Sequence, residues 1–245
     1  MLDMVDVKNI QLGAPIEYGY LGIKKRLNLI LKNVSLKGRL LDVGCGNGAQ
    51  TIEFSKFVDL CVGIDIEDER LRFFRRMCKK LNIYNCRIVK KDATNFGFSD
   101  ETFDVITCIE VLEHISNQEK ALREMYRVLK KGGILILSVP NKWWIFETHG
   151  AALPILPWNR VPFFSYLPKR IHDKYAYARI YTKKEIVTLV EKAGFKIINV
   201  EYLMPPLDKV KNRILRHLGR KVLFKLEKTP VKVMGVSIFV FAKKV

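Results

Sequence analysis

The feature that most constrains this fold is the segment LLDVGCGNG at residues 40–48, in which an apolar run passes directly into closely spaced glycines. The run has the composition of a buried strand, and Gly44, Gly46 and Gly48 follow it at GxGxG spacing. Glycines let the backbone turn tightly and approach a ligand, and a helix that follows offers free N–H groups at its first turn. The segment therefore predicts a strand–loop–helix unit that binds a ligand.

Short apolar runs and amphipathic helical stretches alternate from Arg39 to Val139. This alternation is typical of a parallel sheet covered by helices, and it predicts a doubly wound α/β fold. The predicted strands span residues 39–43, 60–65, 86–90, 103–109 and 133–138. The helical stretches between them are IEFSKF, EDERLRFFRRMCKKLN and NQEKALREMYRVLKK, and we expect the last to end at Gly132 and Gly133.

The flanking segments complete the predicted fold. A helix is expected over residues 15–33, and Thr182 with Glu185 forms a capping box that begins another helix, ended by Gly194. Two strands, FKIINVEYL and GVSIFVFA, close the chain. We expect one domain over residues 1–245, divided into a helical cap (1–37), a ligand-binding core (38–140), an insertion (141–181) and a C-terminal part (182–245).

Acidic residues near the glycine loop indicate which ligand it binds. Asp65 ends the second predicted strand, where a carboxylate can accept hydrogen bonds from both hydroxyls of a ribose. A dinucleotide-binding dehydrogenase would share these features. However, the glycines lack GxGxxG spacing, and Asp42, just before the loop, would repel a pyrophosphate and attract a cation. These residues favour S-adenosylmethionine, whose methionyl end carries an ammonium and a sulfonium.

Four longer motifs extend this pattern over residues 38–140. They are LLDVGCGNG, GIDIED, VKKDATNFGFSDETFDVITCIEVLEHI and LREMYRVLKKGGILILSVPN. In combination they resemble the class I S-adenosylmethionine-dependent methyltransferases, within the branch of small-molecule and quinone-type enzymes. The resemblance implies a Rossmann-like, mostly parallel sheet of seven strands with an antiparallel last strand.

The same resemblance implies roles for individual residues. The residues that would hold the methionyl part of S-adenosylmethionine are Asp42, Gly44, Cys45 and Gly46. Asp65 would hold the ribose, with Ile66 beside the adenine. Asp92 would accept from the exocyclic amine of the adenine, and Ala93 would lie at the edge of the ring. The residues that would line the pocket from the end of the fourth strand are Ile109 and Glu110.

Methyl transfer from a sulfonium depends mainly on positioning, so a catalytic base is needed only for an acceptor such as a hydroxyl. His114 lies just beyond the fourth strand and could accept that proton, with Glu113 orienting it; alternatively, His114 only packs within the loop. His149 and His172 are weaker candidates. Five singly placed cysteines, without a CxxC pair, predict neither disulfides nor a metal site.

The identity of the methyl acceptor is less constrained. The segment from Trp143 to Tyr181 is interrupted by prolines and rich in aromatic residues. It could form a lid over an apolar, small or lipid-like acceptor, or a small satellite core. The side chains that would wall the acceptor pocket are Trp143, Trp144, Phe146 and Trp158. The motif CIEVLEH replaces the Asn/Asp-Pro-Pro-aromatic sequence of enzymes that methylate base amines, which makes RNA the second choice. Protein methylation has no distinguishing feature here. A non-catalytic S-adenosylmethionine-binding protein is a further alternative.

The chain is strongly basic, with 43 Lys and Arg against 25 Asp and Glu, a formal charge of +18. This charge permits RNA or an anionic membrane as a partner, although it also suits a thermophile. A basic helix is expected within the insertion at 205–230, with Leu207, Val210, Ile214 and Leu218 at helical spacing. Its stretch at 207–227 could lie on a membrane, or pack its apolar stripe on the domain. With no apolar span or secretory leader, we expect a cytoplasmic protein, and peripheral association with the membrane is a further option. The sequence does not predict an oligomeric state.

Overall fold

The computed structural model describes residues 11–15, 17, 19–152, 162–208 and 210–245. Seven strands in these ranges form one sheet in the order β3-β2-β1-β4-β5-β7-β6. The strands are β1 Arg39–Val43, β2 Leu60–Asp65, β3 Cys86–Lys90, β4 Phe103–Ile109, β5 Leu129–Pro140, β6 Phe195–Leu203 and β7 Ser237–Lys244. β1 to β5 pair in parallel, whereas β7 is antiparallel to β5 and β6. The doubly wound α/β sheet with an antiparallel last strand is confirmed.

Helices cover both faces of this sheet because successive strand residues point to opposite sides. The helices are α1 Leu21–Asn33, α2 Ala49–Phe54, α3 Asp68–Lys80, α4 Gln118–Val128, α5 Lys169–Tyr175, α6 Lys183–Lys192 and α7 Arg213–Leu226. On one face Leu40 of β1 belongs to a core shared with Ile30 of α1 and Phe54 of α2. On the other face Leu41 shares a core with side chains of α4 and α6. β1 lies between β2 and β4 in the sheet. From β1 the chain first adds β2 and β3 on one side, and it then crosses to the other side of β1 to add β4 and β5. This change of side leaves a crevice at the carboxyl ends of β1 and its neighbours.

Several helix boundaries differ from the predicted ones, and two of the differences have a clear physical cause. α1 begins at Leu21 instead of residue 15, because Gly19 has a φ of 79°, which no α-helix accommodates. α4 ends at Val128 instead of at the glycines, because Leu129 already pairs with Phe103 in the sheet. Gly132 and Gly133 therefore lie inside β5, beside a register shift that Gly132 accommodates at a φ of 76°.

Neither insertion, 141–181 or 205–230, forms one continuous helix among the described residues. In the stretch 141–181, α5 is the longest regular element among the described residues, and Trp158 lies outside them. The basic helix starts at Arg213, where the Asn212 side chain accepts hydrogen bonds from the backbone N–H groups of Ile214 and Leu215. Leu207 and Val210 precede it, so they do not extend its stripe. No helix among the described residues is long and apolar enough to span a membrane. The capping box of Thr182 and Glu185 is present, as predicted.

Candidate functional site

A large cavity lies at the carboxyl edge of β1, β2 and β4, with a volume of about 1220 Å³. All ten residues expected to contact S-adenosylmethionine line it, namely Asp42, Gly44, Cys45, Gly46, Asp65, Ile66, Asp92, Ala93, Ile109 and Glu110. Single small-molecule pockets usually have volumes of roughly 300 to 1,000 Å³. The cavity therefore has room for a donor and an acceptor together.

The glycine loop is shaped by contacts that leave no space for side chains. A Cβ at Gly44 would lie 2.4 Å from the Val111 side chain, and one at Gly46 would lie 3.0 Å from Pro15. Both glycines also have a positive φ, which disfavours other residues. The backbone of the loop can therefore approach a ligand closely while packing against its neighbours.

Asp42 is buried at the start of this loop. Its Oδ2 accepts from the Thr51 hydroxyl at 2.5 Å, and its Oδ1 accepts from the Thr107 hydroxyl at 2.6 Å. Burial raises the pKa of Asp42 to about 6, although both threonine hydrogen bonds lower it. No described Lys, Arg or His forms an ion pair with it. A ligand cation would supply the missing positive charge.

Two further carboxylates lie along the same edge. Asp65 is buried at the end of β2, where Oδ2 accepts from the Gly46 N–H at 2.9 Å and Oδ1 from the Glu67 N–H at 3.0 Å. This carboxylate is thus fixed between the glycine loop and the start of α3. Asp92 is more exposed, and its Oδ1 accepts from the N–H and hydroxyl of Thr94, which together lower its pKa.

A cluster of ionisable side chains lies beyond β4, where Glu110, His114 and His149 line the cavity. The fourth member, Glu113, is fully buried. His149 Nε2 lies 3.5 Å from Glu113 Oε1 and 3.9 Å from Glu110 Oε2. His114 packs edge-on against His149, with ring centroids 4.9 Å apart. The structure thus brings together the three predicted catalytic residues, and it adds Glu110 to them.

The environments of the two glutamates separate their pKa values. Burial and the charge of Glu110 raise the pKa of Glu113 well above its usual range, and neither of its carboxylate oxygens has a hydrogen-bond partner among the described residues. Burial also opposes ionisation of Glu110, but His149 and the charge of Arg26 reverse this effect and lower its pKa. The two environments therefore favour the ionised form of Glu110 and the protonated form of Glu113, a separation of roles that suits acid–base chemistry.

The His114 ring is almost fully enclosed, with 8% of its side chain exposed. Burial, followed by the charge of His149, lowers its pKa to about 4. A Cβ at Gly13 would lie only 2.7 Å from His114 Nε2, so the N-terminal segment covers the ring. His149 is the more accessible of the two histidines, with 17% of its side chain exposed against 8% for His114.

The cluster also contains the one group of three or more His, Cys, Asp or Glu side chains, among the described residues, that is close enough to hold a metal ion. Ligand atoms of Glu113, His114 and His149 lie within 4.8 Å of one another. The sequence did not predict this arrangement because His149 comes from the insertion, far along the chain from the other two residues.

The remaining candidates of the insertion separate into two groups. Trp144 and Phe146 line the cavity, whereas Trp143 packs against Tyr166 outside it. His172 does not line the cavity: it is fully buried, with Nδ1 3.0 Å from Asp173 Oδ1 and Nε2 2.8 Å from Glu147 Oε2. It therefore holds the insertion together, since Glu147 belongs to the loop that carries His149.

Some lining residues were missed in the sequence. Pro15 and Arg26 enter the cavity from the N-terminal part, and Leu203 and Val236 enter from the ends of the last strands. Thr51 and Thr107, which hold Asp42, lie on α2 and β4. The sequence offered one sign of this arrangement, because Thr107 is a polar residue inside the apolar run of β4.

Comparisons with known proteins agree with this geometry. A family model described as a methyltransferase domain matches residues 41–137. The ubiquinone/menaquinone biosynthesis C-methyltransferase UbiE of Klebsiella pneumoniae is 31% identical over 196 residues, which cover 76% of this chain and 77% of the relative. The chain belongs to the class I S-adenosylmethionine-dependent methyltransferases, in their quinone-type branch. It is a methyltransferase, and S-adenosylmethionine is its cofactor.

Two further matches place this methyltransferase among its relatives. The ubiquinone biosynthesis O-methyltransferase of Coxiella burnetii is 29% identical over 185 residues, 71% of each chain. The crystal structure of an S-adenosylmethionine-dependent methyltransferase from Mesorhizobium loti has a TM-score of 0.64 at 14% identity, covering 90% of this chain and 98% of the other. The second match shows the shared fold. The predicted family, activity and cofactor are therefore confirmed.

Proposed function

We propose that this methyltransferase transfers a methyl group to a hydroxyl of a small, lipid-like acceptor that enters the apolar side of the cavity. The observation that carries the proposal is the position of His149, which belongs to the aromatic insertion and lies between the carboxylates of Glu110 and Glu113. The side chains that give this part of the cavity its apolar character are Trp144, Phe146, Leu203 and Val236. Relatives named for ubiquinone biosynthesis support an acceptor of this class.

The residues present fit S-adenosylmethionine. Asp42 and the glycine loop would hold the methionyl part, Asp65 the ribose, and Ile66, Asp92 and Ala93 the adenine. The buried, uncompensated carboxylate of Asp42 suits a positively charged ligand, and the glycines leave room for its close approach. When bound, this cofactor supplies an electrophilic methyl group on its sulfonium. Ile109 and Glu110 would line the boundary between donor and acceptor.

His149 is the base we propose for the acceptor hydroxyl, in preference to His114. A base with a pKa near 4 holds a proton too weakly at neutral pH, and His114 is covered by the N-terminal segment. Nε2 of His149 would take the proton, and the ionised Glu110 beside it would stabilise the resulting imidazolium. Glu113 would position the His149 ring.

The experiment is a methyl-transfer assay with isotopically labelled S-adenosylmethionine and a catechol that carries a short isoprenoid chain. We expect label on oxygen, identified by mass spectrometry of the product. Label on a ring carbon would contradict the choice of oxygen. Transfer to RNA but to no hydroxylated aromatic compound would favour the alternative acceptor, and binding of the donor without any transfer would favour a non-catalytic protein.

Replacement of the proposed base gives a sharper test. His149→Gln should lower kcat by about 10²- to 10⁴-fold, the usual contribution of general acid–base catalysis, and leave the Kd for S-adenosylmethionine unchanged. The matched control is His217→Gln, which removes an exposed histidine of α7. A chelator should leave the wild-type rate unchanged; loss of activity that a divalent cation restores would show that the cluster acts through a metal ion.

A further inference from the structure

The helix α7 presents its apolar side chains to water. None of its 14 residues is buried. Ile214 is 70% exposed, Leu215 62%, Leu218 53% and Val222 57%. These positions share one side of a helix because they are separated by one, four and eight residues. The expected alternative, an apolar stripe packed on the domain with the lysines in solvent, is therefore wrong.

Polar contacts fix the opposite side of α7 to the protein. Arg220 donates to the Pro206 carbonyl at 2.8 Å and to Asp208 Oδ1 at 2.6 Å. Lys25 of α1 pairs with Glu227 and lies 4.4 Å from the centroid of the Phe224 ring. Gly219 leaves space for Leu207, because a Cβ there would lie 2.7 Å from Leu207 Cδ1. These contacts set the rotation of the helix, so the outward direction of its aliphatic side chains is determined.

The charges around this exposed stripe have one sign. The cations of α7 are Arg213, Arg216, Arg220, Lys221 and Lys225, and the helix contains no Asp or Glu. Lys221 and Lys225 are exposed and lie on the same side as Ile214 and Leu218. An aliphatic stripe bordered by lysines is complementary to a surface with an apolar interior and anionic groups above it. An RNA backbone would match the lysines but would leave the aliphatic side chains in water.

We propose that α7 docks on an anionic lipid bilayer, with Ile214, Leu215, Leu218 and Val222 inserted among the lipids and Lys221 and Lys225 at the headgroups. The segment that leads into α7 also lines the cavity through Pro205, Pro206, Leu207 and Val210. Docking therefore places one wall of the cavity next to the membrane surface. The significance of this placement of the cavity wall rests on the proposed function, because the placement supplies a route by which a lipid-like acceptor reaches the site.

The test is flotation of the full chain with phosphatidylcholine vesicles that contain phosphatidylglycerol, compared with phosphatidylcholine alone. We expect binding to the anionic vesicles that weakens as salt is raised. Ile214→Ser/Leu218→Ser should abolish most of this binding. Lys221→Gln/Lys225→Gln should weaken it about tenfold or more, since each basic residue near an anionic surface contributes roughly fivefold.

Control substitutions in α3 and just after it test whether vesicle binding requires the surface of α7 or only the positive charge of the protein. Lys79→Gln/Lys80→Gln removes the same charge from exposed positions, and Leu81→Ser removes an exposed aliphatic side chain; both should float as the wild type does. Failure of the wild type to float, or α7 variants that bind like the controls, would overturn the docking. Transfer to a water-soluble acceptor should be unchanged in every α7 variant, so failure of the membrane proposal remains distinct from failure of the proposed function.

Discussion

Asp42 carries a charge that the fold has removed from water without providing a cation. Two threonine hydroxyls satisfy its oxygens, but burial still raises its pKa to about 6. A carboxylate in this situation binds a proton or a ligand cation, and the two compete. The affinity for S-adenosylmethionine should therefore depend on pH through this one residue.

The Kd for S-adenosylmethionine should be constant above about pH 7 and rise about tenfold as the pH is lowered to 5. The direction follows from the raised pKa of Asp42: as the pH falls through about 6, the carboxylate becomes protonated and neutral, so its attraction for the ligand cation is progressively lost. Asp42→Asn should bind weakly, with a Kd that is independent of pH over this range. Calorimetric titrations at several pH values measure both; a pH-independent wild-type Kd would show that Asp42 does not face the cation.

The sequence predicted the position of a residue in the site where that position depends only on neighbouring residues of one motif. Asp65 and the glycines are set by the strand–loop–helix unit, which brings them together through local chain geometry. His149 illustrates the opposite case, because its position beside Glu113 depends on how the insertion folds back. No periodicity or spacing encodes that contact, so the sequence ranked His149 below His114.

At the scale of elements, the glycine loop is held by the packing of α3. Gly48 precedes α2 with a φ of 83°, and a Cβ there would lie 2.1 Å from Cδ2 of the buried Phe74 ring. A Cβ on Gly63 of β2 would also lie 2.9 Å from that ring. The loop and α3 are therefore packed without space between them.

Gly48→Ala should lower the free energy of unfolding by about 2 to 5 kcal/mol. Roughly 1 to 2 kcal/mol comes from the left-handed backbone, and about 1 to 3 from overpacking against Phe74. Gly132→Ala is the matched control, because its φ of 76° is similar but the nearest atom, Lys243 Cε, is 3.7 Å away. Urea unfolding measures both; equal losses in the two variants would contradict tight packing at Gly48.

Element boundaries show where sequence patterns stop being sufficient. β1 and β2 begin and end at the predicted residues because buried apolar runs bounded by turns define them. α4 ends earlier than its periodicity suggests, since pairing of Leu129 with Phe103 across the sheet outweighs helix propensity. The direction of the apolar side of α7 likewise depends on contacts with Asp208 and Lys25, which the helical spacing does not specify.

At the scale of the whole molecule, the proposed function divides one edge of the sheet between donor and acceptor. The first half of the chain would hold the donor through β1, β2 and the loops that follow them. The insertion and the last strands would receive the acceptor, and α7 would extend this side to the proposed membrane surface. The order of β1, β2 and β4 was predictable because alternating strands and helices allow few topologies. The acceptor side was not, because it is assembled from long-range contacts.

The central claim is that the edge of the sheet around Asp65 binds S-adenosylmethionine, and calorimetry of that binding tests it most directly. Asp65→Ala should weaken binding of S-adenosylmethionine and S-adenosylhomocysteine at least about tenfold, since hydrogen bonds to a charged group contribute roughly 1.5 to 3 kcal/mol. Asp59→Ala, which removes an exposed carboxylate just before β2, should bind like the wild type. Unchanged affinity in Asp65→Ala, with the wild type binding both ligands, would contradict this site.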